Sequence, residues 1–457
     1  MPERAAAVHP LLRLTGWWLP FVGAVTPLVV ITTLVRPYVG QSAFFEVATM
    51  LALFVSALAL AVGVWRPPLR PTVPIVLLLL LGVFIGLSLT ASQSPLFSLK
   101  HLLLPFSGVV YFALIIGHPL RRAILNRLGL GLIAVGGLLA IYGILQYNGI
   151  EFLPFSEQVR KNRVIATIGH PNYLASVLGP IVFVTLGYVI ERRTPAWILG
   201  GLLLVFVILT CILMAQTRGV WLGLVIGFLV LVLVTLRYCL KYRVGIHIIR
   251  GFAVSGMLLI GGLTIMLFIF LPRLNEEFDL RERITAVYQI KSRLYYWRAA
   301  IDMARAKPWF GQGPAMFDPL FWIYALEQQK SELGPYYRDV IPAISETTPG
   351  HTHNEYLQVY AENGTLGLSA LVAFLAFFIY FGYFAIMRQR QADRALQGAA
   401  MYGALLMILA DAMFAFPWRL PVSLIVFIYV LAWHYDEIHS GADADQVALT
   451  ESAGAPA

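Results

Sequence analysis

"LGLSALVAFLAFFIYFGYFAI", residues 366–386, runs for 21 positions without a charged side chain. A helix of that length spans about 30 Å, the thickness of a bilayer's hydrocarbon core. The stretch just before it, "GHTHNEYLQVYAENG" (350–364), has the opposite character, with His351, His353, Asn354, Glu355, Gln358, Glu362 and Asn363. A membrane helix whose mouth carries a dense set of titratable and amide groups sets both the fold class and the place to look for chemistry.

The rest of the chain repeats the apolar half of this pattern. Of 457 residues 59% are hydrophobic and 12% charged, and the mean hydropathy is +0.76. Soluble domains carry about 25% charged residues, so a soluble globular fold is excluded. Apolar runs at 17–36, 42–64, 73–91, 100–118, 123–147, 172–190, 196–215, 219–237, 251–271, 364–386, 396–416 and 420–436 predict an all-α polytopic membrane protein with about 12 transmembrane helices. Residues 1–16 show no signal-peptide cleavage pattern. Cys211 and Cys239 fall towards opposite faces of the bilayer, too far apart for a disulfide, and read as small apolar filler.

Alternating sides from a cytoplasmic N-terminus places 16 basic residues on the cytoplasmic side and 7 in the short outer loops. The bias has the positive-inside sign, so both termini are expected in the cytoplasm and 272–363 outside. The chain then divides into an N-terminal membrane part (1–147), a core with arginine-bearing outer loops (148–271), a large, partly helical outer loop (272–363), three closing spans (364–438) and a polar, disordered cytoplasmic tail (439–457). Within the loop, Ile284, Val287, Ile290, Leu294, Trp297, Ile301 and Ala304 recur at helical spacing and predict an amphipathic helix over 281–306. A second helix is expected over 317–331.

The outward polar groups form one set. Thr352 followed by Glu355 fits a capping box, which would make Thr352 the N-cap and put His353 in the first helical turn. The positive end of a helix keeps such a histidine neutral; it serves either to cap the helix or to accept a proton. Arg218 sits in the tight break "AQTRGVW" between two very apolar spans, where charge must be paired or functional. Arg293 lies on the loop helix with Trp297 on the same face. Guanidinium groups bind phosphate through two parallel hydrogen bonds. Arg160 and Lys161 read as snorkelling to headgroups. His170, in "GHPN", lines the same site or only caps a helix, and Asp411 orients substrate, pairs helices or couples protons. No metal or nucleotide-sugar motif is present, and no metal, cofactor or nucleic-acid partner is expected.

Four blocks, "RVIATIGHPNYLAS", "QTRGVWLG", "RLYYWRAAIDMARAKPWFGQGPAMF" and "HNEYLQVYAENGTLGL", occur in this order over 163–368. They resemble the O-antigen ligase and O-antigen polymerase superfamily of bacterial envelope glycosyltransferases. The resemblance implies a GT-C-like inner-membrane protein with its active site facing the periplasm. It implies transfer of a glycan from a polyprenyl (undecaprenyl) diphosphate carrier to an acceptor hydroxyl, lipid A–core or another surface glycan, without cofactor or metal. By position in the blocks Arg163, Arg218 and Arg293 would hold the diphosphate and His353 would be the general base. Apart from the resemblance, the residues themselves make Arg160, His170, Asn172, His351, Asn354, Trp297 and Asp411 secondary candidates for the same site. A ligase-like activity is expected, with a Wzy-type polymerase as the alternative. A secondary transporter or lipid flippase suits the span count, but there is no repeat between halves and the polar groups gather on one face.

Overall fold

The computed structural model describes residues 8–30, 37–65, 72–153, 163–243, 287–330 and 350–453. These are helical throughout, with no strand among them: α1 Pro10–Val25, α2 Pro37–Ala61, α3 Val73–Leu89, α4 Pro95–His101, α5 Leu103–Gly117, α6 Arg121–Tyr147, α7 Pro171–Arg192, α8 Pro195–Ala215, α9 Arg218–Tyr242, α10 Val287–Ala306, α11 Phe317–Gln329, α12 Glu355–Arg388, α13 Ala392–Asp411 and α14 Pro421–Ala453.

Among the described residues eight stretches are long and apolar enough to cross a membrane: α2, α4 with α5, α6, α7, α8, α9, α12 and Pro421–His439 of α14. Four of the twelve expected spans fall outside this set. The one expected over 17–36 is displaced, because proline starts α1 at Pro10 and the helix gives way to a 3-10 turn at Thr26–Leu28. α3 is apolar but 17 residues long, and α13 opens with the polar "ADRALQG". The span expected over 251–271 lies outside the described residues. α14 continues to Ala453, through residues whose composition reads as a disordered tail; alanine-rich sequence keeps the helical hydrogen bonding going.

α7 is the hub, buried from Leu174 to Val189. Beside it, α9 and α13 run antiparallel and almost touch. Gly219, Gly223 and Gly227 recur every fourth residue on α9 and meet Asp411, Met407 and Gly403, spaced the same way on α13. A methyl on Gly227 would lie 2.8 Å from the Gly403 carbonyl oxygen, and one on Gly223 3.0 Å from that of Met407. In hydrocarbon, where burial alone gives little drive for association, such small-residue stripes let backbones gain dispersion contact. The register has a consequence at the end of the stripe: Arg218 is set beside the C-terminus of α13.

The loop helices are tied to α12 through its kink. "PWFGQG" (308–313) lies on Ala361–Leu366, where Gln312 N–H donates to Ala361 O (2.9 Å), Gly313 N–H to Glu362 O (2.9 Å) and Thr365 N–H to Pro308 O (2.7 Å). Gly364 breaks the helix with φ 65 and ψ −168. A methyl there would lie 2.4 Å from the Trp309 carbonyl, and one on Gly311 2.4 Å from that of Glu362, so both positions require glycine. α10 and α11 bury Tyr295, Ala299, Ala300 and Met303 against Phe317, Leu320, Phe321 and Ala325. The amphipathic helix is therefore present over 287–306, while 281–286 lie outside the described residues.

Four of the basic residues assigned to the cytoplasmic side pair with acids at the opposite end of the bundle. Arg121 and Arg122 bind Asp436 (2.6 and 3.1 Å), Arg394 pairs with Glu437, and Arg193 pairs with Asp393.

Candidate active site

At the other end, the starts of α7, α9 and α12 meet the ends of α8 and α13. The α8–α9 break is shaped first. Gln216 closes α8 in the left-handed region (φ 51, ψ 48), and Arg218 is the first residue of α9. Arg163 braces this turn: its Nε and Nη2 donate to the Ala215 carbonyl at 3.0 and 2.7 Å, and Nη2 also donates to Asn172 Oδ1 at 2.9 Å. The Thr217 hydroxyl donates to the same Asn172 oxygen at 3.2 Å. Arg163 thus satisfies the orphan carbonyls at a helix end and holds in place the turn that presents Arg218.

Arg293, on α10, faces the same corner. Its guanidinium lies over Phe414 at 5.9 Å. Its pKa is lowered by burial and then by Arg218, while Asp411 opposes the shift. Two cations and one carboxylate therefore share a half-buried space. Trp297, one turn further along α10, donates from Nε1 to the Thr352 carbonyl at 3.1 Å and packs on Phe414 at 6.4 Å between centroids.

His353 does not sit in the first turn of a helix. It is in the loop before α12, with φ +55, a backbone region that histidine enters more readily than most residues. The N-cap is Asn354, whose Oδ1 accepts from Leu357 N–H at 3.0 Å. Thr352 instead closes a local turn, accepting from Asn354 N–H at 3.0 Å and donating to the Asn354 carbonyl at 2.6 Å. The expected capping box fails because Glu355 is turned to other partners. The His353 ring lies between Tyr296 (6.2 Å, stacked) and Phe416 (5.2 Å, edge-on). It is nevertheless held neutral, its pKa lowered to about 4 by burial first, then by Arg293 and His170. The helix dipole is not needed. His170 caps α7, accepting from Asn172 N–H at 3.2 Å, and its ring lies on Tyr173 at 4.4 Å. Its pKa is likewise lowered to about 4, by burial and then Arg163.

Behind His353 lies a buried polar network. Arg419 donates to Glu355 Oε2 (3.1 Å) and Glu362 Oε2 (2.9 Å). Burial alone would lower the Arg419 pKa, but Glu362 and Glu355 outweigh it and raise it. Glu355 Oε1 also accepts from Trp418 N–H at 3.1 Å. Gln358 bridges onward: Oε1 accepts from Thr352 N–H (3.2 Å), while Nε2 donates to Glu362 Oε1 (3.0 Å) and to His351 Nδ1 (3.2 Å). That assignment makes His351 Nδ1 an acceptor and leaves its proton on Nε2. His351 packs on Phe416 at 4.1 Å and is held well below the usual imidazole range by burial, then by Arg419 and His353.

Arg163, His170, Asn172, Arg218, Arg293, Trp297, His351, His353, Asn354 and Asp411 all belong to this end of the bundle, whereas Arg160 lies outside the described residues. Sequence reasoning missed the 414–419 corner, with Phe414, Phe416 and Arg419. "FPWR" (416–419) offered a signal, a proline and aromatics around an arginine at a span junction.

Residues 202–372 match a family described as O-Antigen ligase, Wzy_C. The match runs from α8 past the α12 kink and includes Arg218, Arg293 and His353, while Arg163, Asp411 and Arg419 lie outside it. No curated protein matches the chain. Over residues 202–372, less than half of its length, the chain is similar to the O-antigen ligase (Wzy_C) domain family.

Proposed function

We propose that the protein is an O-antigen ligase-like, metal-independent, inverting glycosyltransferase that moves a glycan from a polyprenyl diphosphate to an acceptor hydroxyl. The acceptor is lipid A–core or another surface glycan, and the site faces the periplasm of a bacterial inner membrane. The observation that carries the reading is Arg293, set beside the like charge of Arg218 on one side and the neutral His353 on the other. An anionic diphosphate relieves the repulsion between the two guanidiniums and binds both.

The reaction follows from this placement. The acceptor oxygen attacks the anomeric carbon while His353 accepts its proton. The bond from that carbon to the diphosphate oxygen breaks on the opposite face, which inverts the centre. Negative charge grows on the leaving diphosphate, so Arg218 and Arg293 stabilise the transition state more than the ground state. Arg163 keeps the Arg218 turn in shape.

The test is turnover of a polyprenyl-diphosphate glycan by purified protein in lipid vesicles. His353→Ala is expected to lose about 10²–10⁴-fold in rate, and Arg218→Ala to abolish transfer, with both proteins folded. Wild-type turnover by His353→Ala would remove the assigned base. Mass spectrometry of envelope glycans from a deletion strain fixes the acceptor step: intact polymer stranded on its carrier indicates a ligase, and accumulated single repeats a polymerase.

A further inference from the structure

Around the α8–α9 turn nearly every polar group has a partner. Arg163 fills the Ala215 carbonyl and reaches that of Gln216 at 3.4 Å, and Thr217 is bonded to Asn172. The exceptions are the Gln216 carboxamide and, one turn into α9, the Trp221 indole N–H. Gln216 is 5% exposed, and neither Nε2 nor Oε1 has a partner. Among the described residues no other side chain leaves two such atoms; Gln41 and Gln397 place the amide nitrogen and leave only the oxygen. Across the α9–α13 contact, Asp411 bonds to Ser176 and is drawn to Arg293, yet its Oδ1 is buried without a hydrogen-bond partner, 3.2 Å from where a methyl on Gly219 would sit. Buried amides and carboxylates in folded proteins are hydrogen-bonded, so these atoms, flanking Arg218, suit a ligand that completes them.

Their chemistry selects the ligand. Gln216 Oε1 and Asp411 Oδ1 are acceptors and need O–H or N–H donors. A diphosphate at neutral pH supplies none, and the arginines already match it. A sugar does supply them, from ring hydroxyls or an acetamido N–H, and its oxygens serve Gln216 Nε2. We infer that Gln216, with Asp411, forms a subsite for the first sugar of the donor; this rests on the glycosyltransferase reading above. The subsite distinguishes a loaded carrier from the bare polyprenyl diphosphate that each turnover releases, so that spent carrier leaves the site.

The test measures binding of undecaprenyl diphosphate with and without one attached sugar to the full chain in nanodiscs. The wild type is expected to prefer the sugar-bearing lipid. Gln216→Leu should lose about tenfold of that preference, as for one or two lost hydrogen bonds, with affinity for the bare lipid unchanged. Gln216→Asn, which keeps a neutral amide on a shorter arm and tolerates the left-handed backbone there, should lose less, and it carries the test if the leucine variant does not fold. An unchanged preference in both variants, or an equal loss for both lipids, overturns the subsite. If the wild type binds neither lipid, the donor reading itself fails and the subsite fails with it.

Discussion

Trp297 Nε1 donates to the carbonyl of Thr352 at 3.1 Å, and this bond joins the helix that carries Arg293 to the loop that carries His353. Thr352 is held from its other side by Gln358 Oε1 on its N–H. The peptide entering His353 is therefore fixed from both α10 and α12, and the distance from His353 to Arg293 does not depend on the histidine's own few contacts.

Trp297→Phe keeps the ring and removes the donor. One net hydrogen bond is worth about 1 kcal/mol, and a base misplaced by a fraction of an ångström reacts more slowly. The expected result is a kcat about tenfold lower with KM for the lipid donor nearly unchanged. A raised KM at constant kcat would place Trp297 in substrate binding instead.

The pH profile follows from His353. Burial, then Arg293 and His170, lowers its pKa to about 4, and a general base must be neutral to act. Accordingly kcat/KM, which reports the free enzyme, should stay level from about pH 8 down to about 5 and fall only as pH drops through about 4. Bound diphosphate brings negative charge to the ring's neighbourhood and raises its pKa, so the acid limb of kcat should lie at higher pH than that of kcat/KM. The same shift acts on stability: the unfolded imidazole takes a proton near 6.5 and the folded one near 4, so stability declines as pH falls across that window. Coincident limbs near 6.5 would show that another group is titrating.

Local signals in the sequence located Arg218, Arg293 and His353, because charge beside very apolar runs is legible in one chain. What they contact was not. Thr352 and Asn354 are both good N-caps, and the Thr-x-x-Glu spacing favoured the former. The decision falls to Arg419, 64 residues beyond Glu355, which takes the carboxylate a capping box would need. The Gly219–Gly223–Gly227 stripe is plain in the sequence, but its partner on α13 is written with Gly403, Met407 and Asp411, a pattern that means contact only once the helices are paired. Arg419 counted merely as an outer-loop charge until the fold enclosed it.

Gly364→Ala tests the clasp that docks the loop helices. The backbone there, φ 65 and ψ −168, is essentially glycine-only, a conformation that costs other residues about 1–3 kcal/mol. The added methyl would also stand 2.4 Å from the Trp309 carbonyl. The expected outcome is a markedly lower thermal midpoint in detergent, with Gly311→Ala behaving alike. Ala substitution at Gly350, which has φ 62 but open space around it, should be milder. Equal effects at 350 and 364 would mean that backbone conformation, and not the clasp, sets the loss.

Arg419 gives the sharpest stability test, since it bridges Glu355 and Glu362, each with a side chain 2% exposed. Removing one partner of a buried pair leaves uncompensated charge, at about 3–5 kcal/mol. Arg419→Met leaves two carboxylates facing each other and should be the least stable variant. Arg419→Lys keeps the charge but cannot fork to both acids, and should fall between it and the wild type. Adding Glu355→Gln and Glu362→Gln to Arg419→Met removes the buried charges altogether and should recover much of the loss, because the amides still hydrogen-bond to Trp418 N–H and Gln358. Thermal unfolding in one detergent ranks the four proteins. A triple variant no more stable than Arg419→Met would mean that the arginine acts through its packing and not through the two carboxylates, and the network would no longer explain how the His353 loop is held.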